Sequence, residues 1–285
     1  MLSHPYNLNL SYSERKINIH WHLYQKTVNI VVTNICNLSC GGCHQHCGKI
    51  PKDKLFFIEI DELKEVIDKL TGKDKFHQRP WIGIFGGEPT LHPKFNQIID
   101  LLISYKSKTN FVVFSNGRDL DKAKNKENIH FKIDFKNDSN RGFEPTLVAS
   151  KDYYPDKKKD WFFDNLVVQN CYMYNNCFSC IYNKMAYTCE AMASLDCLQG
   201  KKRGWNFVDG EDPFVRTLDE IRQQASNFCY RCGWCIPNSI SSKHKQKIGD
   251  AGLVSQTNND LKLIGKTQKV TITKDKKMIS LPVIN

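Results

Sequence analysis

Three short apolar runs in the first half of the chain each end at a motif too specialised for an ordinary loop. The run VNIVVT at 28–33 leads into Cys36-Asn-Leu-Ser-Cys40-Gly-Gly-Cys43. WIGIF at 81–85 stops at Gly86-Gly87-Glu88-Pro89, and FVVFS at 111–115 is closed by Asn116-Gly117. Runs of this composition, bounded by glycine and other turn residues, read as buried strands. The segments between them read as helices. Residues 58–70 have helical periodicity with Asp61 as the expected cap, and 93–105 carries Pro93 in its first turn. A short helix is expected at 120–126, a fourth strand at 129–135, and further strands at 146–149 and 166–169. Strands alternating with helices form parallel βαβ units, whose chemistry gathers at the carboxyl ends of the strands. All three motifs then share one rim of one sheet.

The cysteines narrow the class. Twelve occur in 285 residues, in two blocks: Cys36, Cys40, Cys43 and Cys47, then Cys171, Cys177, Cys180, Cys189, Cys197, Cys229, Cys232 and Cys235. No run of about 18 apolar residues is present, and residues 1–12 hold no signal-peptide core. A cytoplasmic protein with no membrane span is the expectation. In that compartment clustered cysteines serve metals or catalysis rather than disulfides, so two blocks point to two metal sites. The formal charge of +11 is uneven, with nine lysines against three aspartates in residues 241–285. A solvated surface accounts for such a tail, and nucleic-acid binding is not expected from charge alone.

The triplet Cys36, Cys40, Cys43 has three and then two intervening residues. Three thiolates can hold a cubane of four irons while leaving one iron without a protein ligand, whereas a structural cluster would use four. The alternative from the same residues is zinc held by Cys36, Cys40, Cys43 and Cys47 with His44 and His46. That leaves Gly86-Gly87-Glu88-Pro89 unexplained. Cys47, His44 and His46 read as bystanders.

Together, the triplet and the Gly86-Gly87-Glu88-Pro89 motif resemble the radical S-adenosylmethionine (SAM) superfamily. The resemblance implies a partial (β/α)6 TIM-like barrel and a 4Fe-4S cluster on Cys36, Cys40 and Cys43, with SAM chelated at the open iron. The reduced cluster would cleave SAM to methionine and a 5′-deoxyadenosyl radical, which takes a hydrogen atom from the substrate. Gly86 and Gly87 would let backbone approach the methionine moiety. Glu88 would hold its amino group, and Ser115 and Asn116 would contact SAM. An electron donor such as flavodoxin or ferredoxin is implied. One departure stands out. The family's aromatic residue before the third cysteine is here Gly42, leaving His44 or Phe85 to fill the adenine side.

The later cysteines resemble the SPASM or twitch extension of some of these enzymes, in which an auxiliary second 4Fe-4S cluster is bound around a hairpin. The hairpin falls in 181–189, turning at Asn183-Lys184, and a helix at 218–228 leads into Cys229-Tyr-Arg-Cys232-Gly-Trp-Cys235. The favoured ligands are Cys177, Cys189, Cys229 and Cys232, with Cys180 and Cys235 competing. A zinc knuckle of Cys177, Cys180, Cys232 and Cys235 has suitable spacing too. A cysteine left over, Cys171 or Cys197, would be a candidate hydrogen donor.

The expected organisation is therefore α/β. An N-terminal extension (1–27) precedes the partial barrel (28–170). A small cysteine-rich auxiliary domain (171–240) and a basic tail (241–285), with a surface hairpin around 274–277, follow. The expected activity is oxidation or epimerisation of a small polar molecule, sugar-like or nucleotide-linked, because the stretch before Cys36 is short for a peptide-leader-binding domain. Modification of a ribosomal peptide is the alternative within the class. A zinc-dependent nucleic-acid-binding module is the alternative outside it.

Overall fold

A computed structural model describes residues 27–38, 43, 45–74, 76–133, 149–176, 179–207, 211–236, 255, 257 and 258, and the backbone of 270–272 and 278–280. Its centre is a seven-stranded sheet in the order β4-β3-β2-β1-β5-β6-β7. The strands are β1 (Val28–Thr33), β2 (Trp81–Gly86), β3 (Asn110–Ser115), β4 (His130–Ile133), β5 (Ser179–Tyr182), β6 (Met185–Tyr187) and β7 (Trp205–Asn206). The first five pair in parallel, and β6 and β7 add antiparallel to β5. The sheet is open, a mixed α/β arrangement of the partial-barrel type expected. β1 is buried along its whole length because parallel neighbours flank it and both faces are covered.

Two helices cover the outer face. In α1 (Ile60–Leu70), Leu63, Val66, Ile67 and Leu70 are buried at helical spacing. In α2 (Phe95–Ser104), Phe95, Ile98, Ile99 and Leu102 do the same. They pack on Val28, Ile30, Val32, Ile82, Ile84, Phe111 and Val113, the outward residues of β1–β3. Asp61 is not the cap of α1. It lies in the first turn, where its charge suits the helix dipole, and Glu59 takes the cap position. Pro93 falls just before α2, whose cap is Lys94.

On the inner face, α3 (Glu190–Gln199) and α4 (Leu218–Ser226) pack with short helical turns between 150 and 176. The segment 166–169 is helical rather than extended, because Phe162, Phe163, Leu166 and Val167 bury a face at helical spacing. Of the strand expected at 146–149, only Ala149 is described, and it leads into the turn Ser150–Tyr153. In place of a helix at 120–126 there are two 3-10 turns, Leu120–Lys122 and Lys126–Asn128. α4 opens with a reciprocal cap, Thr217 and Glu220 each bonding the other's backbone N–H.

The hairpin at Asn183-Lys184 is present, both turn residues having positive φ. Its first strand, β5, pairs with β1, so the main sheet runs on past position 171. A buried ion pair, with Arg79 Nη2 donating to both Asp212 carboxylate oxygens at 2.8 and 2.6 Å, ties the 211–216 segment to the start of β2. The tail hairpin expected around 274–277 is present as β8 (Val270–Ile272) and β9 (Met278–Ser280). Among the described residues no helix is long and apolar enough to cross a membrane.

Candidate active site

The ends of β1, β2 and β3 converge on the carboxylate of Glu88, which is fully buried. Its Oε1 accepts from Ser115 Oγ at 2.8 Å and from Thr90 Oγ1 at 2.7 Å. Its Oε2 accepts the Asn116 backbone N–H at 2.7 Å. Ser115 Oγ in turn accepts the Gly117 N–H at 3.0 Å. Asn116 Nδ2 donates to Asn37 Oδ1 at 2.8 Å and lies 3.9 Å from the Cys36 sulfur. Asn37 Nδ2 donates to Asp119 Oδ2 at 2.7 Å. A continuous polar chain therefore runs from Glu88 through Asn116 to the first cysteine.

Gly86 and Gly87 have a reason beyond ligand access. A Cβ on Gly86 would lie 2.0 Å from the Thr33 carbonyl oxygen, and one on Gly87 would lie 2.1 Å from that of Ile35. The backbone crosses so closely that the Gly87 and Glu88 N–H groups donate to those same carbonyls at 2.8 Å. The glycines thus dock the end of β2 against the loop that carries the cysteines.

Cys36 and Cys43 are half-buried, and Cys40 lies outside the described residues, as do Gly42 and His44. Cys47 is buried, and its thiol shares a hydrogen bond with Cys43. That bond, burial, and the nearby Cys43, Cys36 and Cys197 sulfurs push the Cys47 thiol well above its ordinary value. His46 bonds Ser194 Oγ through Nδ1. Phe85, expected from the resemblance near the adenine, packs edge-on against Phe114.

A second set of thiols lines a small apolar cavity: Cys171, Cys189, Cys229, Cys232 and Cys235, with Val167, Met173, Met192, Leu195, Phe228 and Trp234. Cys189 caps α3, and Cys229 opens a 3-10 turn after α4. Burial pushes the Cys229 and Cys232 thiols well up and the Cys235 thiol to about 11. Ser150 Oγ also holds Cys235, at 2.9 Å. Cys180 is buried on β5 beside Cys189 and Glu190, off the cavity wall, and Cys177 lies outside the described residues. Of the zinc spacing read from Cys177, Cys180, Cys232 and Cys235, the last two line the cavity and Cys180 sits on β5. Cys171, expected as a spare thiol, stands among the cavity cysteines.

The donor set fits iron–sulfur chemistry. Soft thiolates around a dry wall suit such clusters. Among the described residues no three His, Cys, Asp or Glu side chains close on a point at single-ion distance. A cubane needs its thiols spread around a body rather than around one ion.

The other leftover thiol, Cys197, has a different setting. It accepts from Asn34 Nδ2 at 3.2 Å and is hydrogen-bonded to Tyr182. It lies in the wall of a cavity of about 550 Å³, with Lys54, Phe56, Glu62, Tyr182 and Lys201. Sequence reading missed Asn34, Asn37, Thr90, Asp119 and Ser194. The nearest signals were the short polar residues flanking each motif, which become informative only once the strand ends are adjacent.

Residues 30–146, the segment holding the triplet, Glu88 and Asn116, match the family model of the Radical SAM superfamily. No curated protein matches the sequence. Among solved structures, BtrN in complex with AdoMet and 2-DOIA is similar with a TM-score of 0.44 and 13% identity. The alignment covers 74% of this chain and 91% of that one.

Proposed function

We propose that this chain is a radical SAM enzyme that uses a 4Fe-4S cluster on Cys36, Cys40 and Cys43 to act on a small polar molecule. The observation that carries the reading is the buried Glu88 carboxylate, held by Ser115 and Asn116 and linked through Asn116 to Cys36. When bound, the reduced cluster and SAM supply a 5′-deoxyadenosyl radical that takes a hydrogen atom from substrate. Glu88 fixes the two strand ends and offers its carboxylate to the ammonium of SAM. Ser115 and Asn116 orient that carboxylate. Gly86 and Gly87 keep the Cys36 loop against it.

The five-thiol cavity is the site of an auxiliary 4Fe-4S cluster in this reading. Four of Cys171, Cys189, Cys229, Cys232 and Cys235 are its ligands; Cys177, in the set favoured from sequence, lies outside the described residues. Cys197 is then the remaining candidate hydrogen donor. The cavity of about 550 Å³ supports a small polar substrate, since its volume suits one sugar-sized ligand and its wall mixes lysine, carboxylate, amide and phenol groups. A low-potential flavodoxin or ferredoxin supplies electrons.

The test is anaerobic reconstitution, reduction, and measurement of 5′-deoxyadenosine formed from SAM. The proposal expects its formation in the wild type and none above background in Cys36→Ala. Equal amounts in both overturn it.

A further inference from the structure

The cluster loop and the thiol cavity meet at opposite faces of one helix. Residues 190–198 of α3 are all buried. Cys189 caps the helix, and Met192 and Leu195 face the thiol cavity. Ala193, Ser194 and Cys197 face the other way, lining a small hollow with Val31, Asn34, Gln45 and Ile50. Two contacts cross that hollow: His46 Nδ1 to Ser194 Oγ, and Asn34 Nδ2 to Cys197 Sγ at 3.2 Å. Only five residues, about 7.5 Å of helix, separate Cys189 from Ser194.

His46 is held with unusual firmness. It is 2% exposed and adopts φ 54°, a left-handed conformation uncommon outside glycine, asparagine and aspartate. Its N–H donates to the Cys43 carbonyl at 3.1 Å, and its own carbonyl accepts from Lys49 at 2.8 Å. It is thus the corner of the turn that leaves Cys43. At its other end, α3 is fixed to β1 by Asn29 Nδ2 donating to Glu190 Oε1 at 2.5 Å. A buried helix in a close-packed interior moves as a body, so a shift at Cys189 reaches Ser194.

We propose that His46 is a positioning residue. Through Ser194 it pins the turn that leaves Cys43 to α3, so that filling the thiol cavity sets the geometry in which SAM is bound. This rests on the two-cluster reading above.

The test uses full-length protein reconstituted anaerobically. SAM affinity is read from the SAM-induced change in the electron paramagnetic resonance spectrum of the reduced N-terminal cluster. Ser194→Ala and His46→Ala are each expected to weaken SAM binding about threefold to tenfold, the range of one hydrogen bond. The double variant is expected to be no weaker than either single one. His46→Asn tolerates positive φ and keeps a polar group near Nδ1, so it restores binding. Cys229→Ala/Cys232→Ala, which leaves three thiols where the auxiliary cluster needs four, weakens SAM binding in the wild-type background and has no further effect in Ser194→Ala. Additive losses, or unchanged affinity in Ser194→Ala, overturn the proposal. Iron content separates the two readings. If Cys229→Ala/Cys232→Ala loses no iron, the auxiliary cluster itself falls, and the coupling with it. If iron is lost while SAM binding stays unchanged, only the role of His46 falls.

Discussion

At the rim of β1–β3, Cys36 and Cys43 are half-buried beside Asn37, Asn116 and Asp119. Across α3, Cys171, Cys189, Cys229, Cys232 and Cys235 are buried among Val167, Met192, Leu195 and Phe228. One set of sulfurs has a polar, reachable surrounding and the other a dry one. The contrast matches two demands. A site that exchanges a cofactor at each turnover must admit it and must offer charged and polar groups to grip it. A site that only holds a cluster gains from excluding water, because the apolar shell sets its potential and protects it.

The first way to break the contrast is to remove sulfurs from each side in turn. Cys36→Ala should end 5′-deoxyadenosine formation and lower iron from about eight to about four per chain. Cys229→Ala/Cys232→Ala should lose a similar four irons while leaving a SAM-responsive cluster, whereas Cys180→Ala should keep both. Iron analysis of the three variants decides the matter, and loss of iron in Cys180→Ala would move the auxiliary site onto β5.

Smaller changes probe the rim. In Gly87→Ala the new Cβ would meet the Ile35 carbonyl, so the strand end must shift. We expect a loss of about 1–3 kcal/mol in urea unfolding. Glu88→Gln sets an amide among the hydroxyl and N–H donors that now face a carboxylate. It should raise the SAM dissociation constant about tenfold by isothermal titration. An unchanged constant would leave Glu88 a purely structural bolt.

The smallest expected effect concerns His92, two residues beyond Thr90. Burial holds its imidazole below the ordinary histidine value, against an opposing pull from the Ile58 carbonyl that it bonds at 2.8 Å. The unfolded chain therefore takes up a proton before the folded one does. Stability is full above pH of about 6.5 and declines as pH falls from there toward the folded value. His92→Gln should flatten that part of the acid limb in pH-dependent thermal unfolding.

Much of this contrast was legible from residues alone. β-branched runs ending at Cys36, Gly86 and Ser115 fixed three strands and one rim, because period and turn residues agree there. The turn at Asn183-Lys184 was legible for the same reason, since it takes two residues at positive φ. Which cysteines share the apolar cavity was only partly legible. Spacing cannot say which cysteines face a common point, and the pairing of β5 with β1 turns Cys180 away while the turns before 176 bring Cys171 in. The segment 166–169 misled because a β-branched run looks alike at the end of a buried helix and in a strand. The link from His46 to Ser194 spans 148 positions and has no local signature.

The central claim is that Cys36, Cys40 and Cys43 hold a cluster to which SAM binds directly, beside Glu88. Electron–nuclear double resonance on the reduced, reconstituted protein with SAM labelled with ¹⁵N at its amino group tests it most directly. The account predicts a nitrogen hyperfine coupling in the wild type that disappears in Cys36→Ala. A wild-type spectrum that shows a reduced cluster with no coupling to the label would contradict it.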